Sequence, residues 1–408
     1  MSLLSILKKF AFKLERQNDS VFSYPIDKQR EIIRCFKEPE NNIERAYNQY
    51  RCQMRLNKRY ISFILNLASL PMMLLYLFKA NDSIKNDAHF DAVFLAEGKP
   101  NHIIPNALKN EFKTWKRVEE HGQMLLSDDK AFFKSVLKEY PFSWHFLLKS
   151  LIKLRMYRYE IQSHNPKAIV VCGEYSFTSS LLTEYCNNLG LEHINVMHGE
   201  KLYYMRDSFF CFNRCYVWDE FYKKLFTELR AEPNQFIICV PRSMHFSEGR
   251  NVEKTFDYTY YLGAETGEVL VRVADALKLL VNKGSRVAIR PHPRYSDFEE
   301  IKNKFDGIVI ENCEEIDIEQ SVLRTKNVIS LYSTVMNQAY HNNVGIVIDD
   351  VSNPSKYEKL NELKYVMMNV QHRTLSEVIG EKYDVADKKL ISITTENLNT
   401  EIKNIMID

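Results

Sequence analysis

The stretch PKAIVVCGEYSFTSSLLTEYCNNLG at 166–190 constrains the fold more than any other. Its apolar run, AIVV, is short, β-branched and without alternation. That reads as a strand buried on both faces of a parallel sheet. A loop follows, then a helical pattern, SSLLTEYCNNLG, with Gly190 placed as its C′ cap. Parallel strands need crossovers, so one such unit demands others.

They are present. AHFDAVFLAEG (88–98) reads as a strand and loop, and 103–160 carry helix-like periodicity. EHINVMHGEK (192–201) is a strand and loop, and NRCYVWDEFYKKLF a strand entering a helix. A second series begins near Phe236: QFIICVPR, TFDYTYYLGAETGE, a helix ending at Gly284, SRVAIRPHP, GIVIENC, KNVISLYST and VGIVIDD. Asp317 is placed to N-cap a helix, with Gln320 at the reciprocal capping-box position. The alternation predicts an α/β protein of two Rossmann-like domains facing a cleft, with a helical N-terminal extension. The expected boundaries are 1–85 helical, 86–235 first domain and 236–408 second domain.

Composition narrows the partners. The 408 residues are 45% hydrophobic and 26% charged, with net charge +2, which excludes a polyanion binder by charge alone. Residues 1–60 hold 13 Lys/Arg against 7 Asp/Glu without interleaved aromatic platforms, so nucleic acid is not expected. That excess suits either an anionic membrane surface or a solvated helix face. The segment SLLSILKKFAFKLERQ near the N-terminus is basic and amphipathic. Residues 60–78 lack charge and are flanked by Lys58, Arg59 and Lys79. A pair of buried helices broken near Pro71 is expected there, with interfacial docking and spanning as alternatives. The eight cysteines are scattered, and Cys211 and Cys215 form a lone C-x3-C, so zinc is not expected. The expected location is cytoplasmic, peripheral on the inner face of the cell membrane, with no signal peptide.

Ligands of parallel sheets bind beyond the carboxyl ends of the strands, and the motifs fall there. In IRPHPRYSD, His292 stands between Pro291 and Pro293 with Arg290 and Arg294 outside them. An imidazole and two guanidinium groups suit a phosphate, although a capped turn would use the same residues. Ser333 and Thr334 stand between a strand and a helix, as an anion site or as ordinary N-caps. Gly263 and Gly267 allow close backbone approach, without the GK[ST] of a Walker loop. In the first half, Glu97, Glu174, His198 and Glu200 each follow a strand and are candidate bases for a hydroxyl. HGEK at 198–201 is the most loaded of these loops. No D-x-D metal motif is present, and no cofactor is expected.

An HG loop, then HP, then a paired hydroxyl before a helix resembles bacterial glycosyltransferases of the GT-B type. Over about 165–350 the chain is similar to the capsule and lipooligosaccharide sialyltransferases. It is similar too to CDP-glycerol glycerophosphotransferases and capsular Kdo transferases. The resemblance implies a cytidine-nucleotide donor, most directly a CMP-linked sialic acid, and a glycan hydroxyl acceptor in surface polysaccharide synthesis. His292 and Pro293 would form the HP motif on the donor phosphate. Ser333 and Thr334 would bind that phosphate from a helix N-terminus, and the Gly263–Gly267 loop would border the nucleotide. The sialyltransferase pattern has two acids before Gly where this chain has only Glu97. The glycerophosphotransferase pattern has a histidine in an HG loop, which matches His198. Gln338 stands where many such proteins carry Glu. Transfer of a polyol phosphate and a non-catalytic glycan-binding scaffold are the alternatives.

Overall fold

The computed structural model describes residues 21–84, 88–246, 252–263, 265–293 and 296–380. Arg294 and the amphipathic segment near the N-terminus lie outside the described residues. Three helices open the described chain: α1 (Ile26–Arg34), α2 (Asn42–Leu56) and α3 (Arg59–Phe78). Asn41 caps α2 by accepting the Glu44 N–H at 2.8 Å. The expected break at Pro71 does not occur: α3 is one helix of 20 residues with Pro71 inside it. Tertiary packing overrides the proline penalty, because Ile61, Leu65, Met72, Met73 and Tyr76 are all buried on one face.

The first sheet holds β1 (Ala92–Leu95), β2 (Trp115–Val118), β3 (Ala168–Val171), β4 (Glu192–Val196), β5 (Arg214–Val217) and β6 (Phe236–Ile238). All pair in parallel, in the order β2-β1-β3-β4-β5-β6. Every residue of β1 and β3 is buried, as their apolar runs require. β2, with the sequence WKRV, lies within the stretch read as helical; on a sheet edge it needs no apolar run. The boundary expected at 235 falls ahead of β6, which pairs with β5 and so belongs to the first sheet. The connecting helices are α4 (Asn106–Glu111), α5 (Ser127–Glu139), α6 (Trp144–His164), α7 (Ser179–Asn188) and α8 (Glu220–Glu228). Gly190 follows α7 at φ +72°, a conformation glycine adopts without steric cost.

The second sheet holds β7 (Phe256–Tyr261), β8 (Val287–Arg290), β9 (Val309–Ile310), β10 (Thr325–Ser330), β11 (Gly345–Ile348) and β12 (Arg373–Thr374). These are parallel in the order β12-β11-β10-β7-β8-β9. Around it lie α9 (Gly267–Asn282), α10 (Phe298–Lys304), α11 (Ile318–Leu323), α12 (Thr334–His341), α13 (Pro354–Glu362) and α14 (Leu375–Gly380). Asp317 caps α11 through the Gln320 N–H at 2.7 Å. The architecture is therefore α/β with two Rossmann-like sheets. Each reverses its strand order once, at β1/β3 in the first and at β7/β10 in the second. Those reversals are where such sheets open a ligand crevice.

After α13 the chain returns to the first domain. The Tyr203 N–H donates to the Leu363 carbonyl at 2.7 Å, Lys364 pairs with Glu228, and Tyr365 is fully buried. One core cluster runs from Ile26 to Val370 through both domains.

Candidate functional site

The HG loop continues from the carboxyl end of β4. Asn195, a polar residue inside that buried strand, organises it. Its amide donates to Glu174 Oε2 at 3.1 Å, and its oxygen accepts the Gly173 N–H at 2.7 Å. The loops after β3 and β4 are thereby locked together. Glu174 is completely buried and forms an ion pair with Lys201, itself buried. Burial disfavours the Glu174 charge, but the Lys201 ammonium and then the His198 ring outweigh it and hold the carboxyl at about 2. Burial likewise works against the Lys201 charge, and Glu174 with Asp207 overcomes it, raising its pKa above the ordinary lysine value.

His198 faces this pair. Its Nδ1 is 3.8 Å from Glu174 Oε1, too far for a hydrogen bond, and this buried nitrogen has no hydrogen-bond partner among the described residues. Burial pushes the imidazole down to about 4, against the attraction of Glu174. The ring is therefore neutral at physiological pH and able to accept a proton. Tyr175 stands edge-on to it, with ring centroids 6.1 Å apart.

On the other side, Tyr175 lines a cavity of about 130 Å³ at the strand-order reversal of the first sheet. Its polar lining includes Glu97 and Lys99 after β1, Ser176, Thr178 and Ser179 after β3, and Lys153 of α6. Glu97 takes a left-handed backbone, φ +46°, and pairs with Lys153 at 2.9 Å. It is therefore a partly exposed, ion-paired carboxylate of the cavity mouth. Glu200 has a different duty. Its carboxylate accepts from the Tyr222 hydroxyl of α8 at 2.8 Å and from the Asn337 amide of α12. Tyr222 also reaches Asn337 Oδ1 at 3.0 Å. This triangle joins the HG loop of the first domain to α12 of the second, so the carboxyl ends of the two sheets face each other. Burial pushes Glu200 up to about 7, with the Tyr222 hydrogen bond opposing.

In the second domain, the loops after β10, β7 and β8 sit on three adjacent strands. Two strand spacings, about 10 Å, thus separate the Ser333 strand from the His292 strand. Ser333 caps α12 by accepting the Val335 N–H at 3.3 Å, and Thr334 is the first residue of that helix. His292 is half-buried just past β8, and its N–H donates to Ser296 Oγ at 2.8 Å. Pro293 beside it is exposed. Arg290 points elsewhere: it is buried, pairs with Glu311 at 3.1 Å and donates to the Ile316 carbonyl at 2.8 Å. Its guanidinium completes the core beneath the HP corner and is not presented to a phosphate. In the glycine loop, the Gly263 N–H donates to Glu265 Oε2 at 2.5 Å, and Gly267 adopts φ +56° at the start of α9. A carboxylate of the chain itself thus occupies that amide. Gln338 is buried and donates to the Ser243 carbonyl of the interdomain segment at 2.8 Å.

Sequence reading singled out His198, Glu174 and the HGEK loop but not Asn195, Tyr222 or Asn337. The available signal was an asparagine inside an apolar strand and another inside a short apolar helix. Either must find a partner when buried.

No protein-family model matches this sequence, and no curated protein matches it at a significant level. Among solved structures, the glycotransferase of kitacinnamycin matches at 10% identity over 78% of this chain and 95% of its own, with a TM-score of 0.46. A variant of the wall teichoic acid polymerase TagF matches at 11% identity over 88% and 97%, with a TM-score of 0.40. The Methanocaldococcus jannaschii UDP-GlcNAc 2-epimerase, in complex with UDP-GlcNAc and UDP, matches at 12% identity over 69% and 93%, with a TM-score of 0.38. Likenesses of this size assign neither a substrate nor a reaction.

Proposed function

We propose that this protein is a transferase of surface-glycan synthesis that moves a group from a cytidine-nucleotide donor to a glycan hydroxyl. One observation carries the reading. A neutral, hydrogen-bond-poor His198, backed by the buried Glu174–Lys201 pair, sits on the loop that meets α12 of the second domain. In this reading the second domain holds the donor, with its phosphate between His292 and the Ser333–Thr334 helix start. The first-sheet cavity receives part of the acceptor.

His198 takes the proton of the acceptor hydroxyl as its oxygen forms the new bond. The bond to the nucleotide phosphate breaks, and the electron pair stays on the departing oxygen. The N–H groups opening α12 and the His292 ring stabilise that charge. Glu174 carries negative charge beside the imidazolium that forms, which favours proton uptake without itself being protonated. For a CMP-linked sialic acid, our first reading, the attacked atom is the anomeric carbon. The base being a histidine in an HG loop, with Glu97 held in an ion pair, favours a second reading: a CDP-polyol donor attacked at phosphorus.

The first test is thermal shift with CMP, CDP, UDP and GDP on the wild type and His292→Ala. Stabilisation by CMP or CDP alone, lost in the variant, is expected, since a ligand of the folded state raises Tm by mass action. Stabilisation by UDP or GDP alone would remove the cytidine donor, and no stabilisation by any nucleotide would leave a glycan-binding scaffold. CMP release from CMP-sialic acid against CDP-glycerol then separates the two donors.

A further inference from the structure

Helix α3 carries two apolar faces. One is buried in the domain. The other, at positions 60, 63, 64, 67, 68, 71, 74, 75 and 78, has no charged or amide side chain. Phe63 is 65% exposed, Leu75 59% and Phe78 85%, with Ile64, Leu67 and Leu74 close to half exposed. Beside the middle of this face, the Asn66 amide holds the Phe142 carbonyl at 2.9 Å, and the Phe142 side chain is 78% exposed. A continuous apolar strip of this kind on a soluble surface marks an interaction site.

The charge pattern selects the occupant. From 45 to 81 the chain has six Lys/Arg and no Asp/Glu. Lys58 and Arg59 are exposed at one end of the strip and Lys79 at the other. A second copy docking antiparallel would set these ends against each other and repel. An anionic lipid surface attracts both ends at once while apolar side chains enter the acyl boundary. The helix is long and apolar enough to cross a bilayer, with mean hydropathy 1.9. Its other face, however, is packed into the domain through Leu65, Met72 and Met73, so it cannot be surrounded by lipid without leaving that core. We propose that α3 and Phe142 dock the protein on an anionic membrane surface, with the helix lying in the plane of the interface. The consequence for geometry is direct. α6 packs along α3 and also supplies Lys153 and Met156 to the first-sheet cavity, so one helix connects the docked element to that cavity.

The full-length protein should sediment with phosphatidylcholine vesicles containing about a quarter phosphatidylglycerol. Binding should fall roughly tenfold or more with phosphatidylcholine alone or at high salt. The triple variant Phe63→Glu, Leu75→Glu, Phe78→Glu should lose binding by a similar factor with its melting temperature retained, because all three side chains are exposed. Phe63→Trp gives a second measurement in an otherwise native surface. Its added fluorescence should be quenched by brominated lipid. Wild-type binding by the triple variant, no quenching at position 63, or no vesicle binding at all would each overturn the proposal. So would a concentration-dependent dimer in light scattering that the triple variant abolishes, since that identifies a second copy as the occupant.

Discussion

The strand-order reversals of the two sheets solve the same problem in opposite ways. At the first, charge is buried and paired internally: Glu174 is fully enclosed with Lys201, and His198 is held neutral beside them. At the second, the backbone donors stay near the surface and are occupied by local side chains, Glu265 on Gly263 and Ser333 on its own helix. The first arrangement is preorganised, so little must move when charge develops. The second is provisional, because an incoming anion must displace a group of the chain. Rigidity belongs to the His198 side and exchangeability to the Gly263 side, which in the proposed function would be the proton-accepting and the nucleotide side.

The strongest way to break this contrast is Lys201→Met. It strands the Glu174 carboxylate in the core and should destabilise the protein by about 3–5 kcal/mol, read by chemical denaturation. A loss near zero would mean that the pair is wetter than its burial implies. His198→Asn comes next. Turnover should fall by about 10²–10⁴ while the melting temperature barely changes, because Nδ1 makes no hydrogen bond to lose. The acid limb assigned to His198 should lie near its shifted value of about 4 and not near 6.5. Equal losses of stability and turnover would make His198 a structural residue.

Asn337→Ala opens the Glu200–Tyr222 triangle and should cost about 1–3 kcal/mol. Glu200 adds a pH signature. Its folded pKa, about 7, lies above the ordinary glutamate value of 4.5, so its stabilisation is full below the lower value and is lost as pH rises through the upper one. His198 has the opposite sign: its contribution is lost as pH falls from about 6.5 toward 4. The clean measurement is therefore the stability of wild type relative to Glu200→Gln, which should fall as pH rises across 4.5 to 7. The smallest effect is expected at the provisional end. Glu265→Ala frees the Gly263 amide and should tighten CDP binding several-fold, about 1 kcal/mol, in titration calorimetry. Weaker binding would show that Glu265 serves the ligand and does not compete with it.

Much of this was legible in the chain. The runs AVFL and AIVV had to be buried parallel strands, and the glycines at 190 and 284 had to end helices, as their positive φ values bear out. Edge strands were harder, because a strand such as WKRV with one neighbour needs no apolar signature. Pro71 shows the limit of local rules, since packing against α6 keeps a helix that propensity would break.

For the site, the sequence by itself determined that polar and ionisable residues cluster at strand ends, because a parallel sheet sends every βα loop to one edge. Only the tertiary structure decided their states. Arg290 and His292 are neighbours in IRPHP, yet one is spent on Glu311 and the other lies at the surface corner. Glu174 and Glu200 both follow strands in the same sheet, yet one is held at about 2 and the other at about 7. Residue type fixes which charges exist. Burial and the partner across the loop, set by chain segments far away in sequence, fix what each charge costs and so which group can accept a proton.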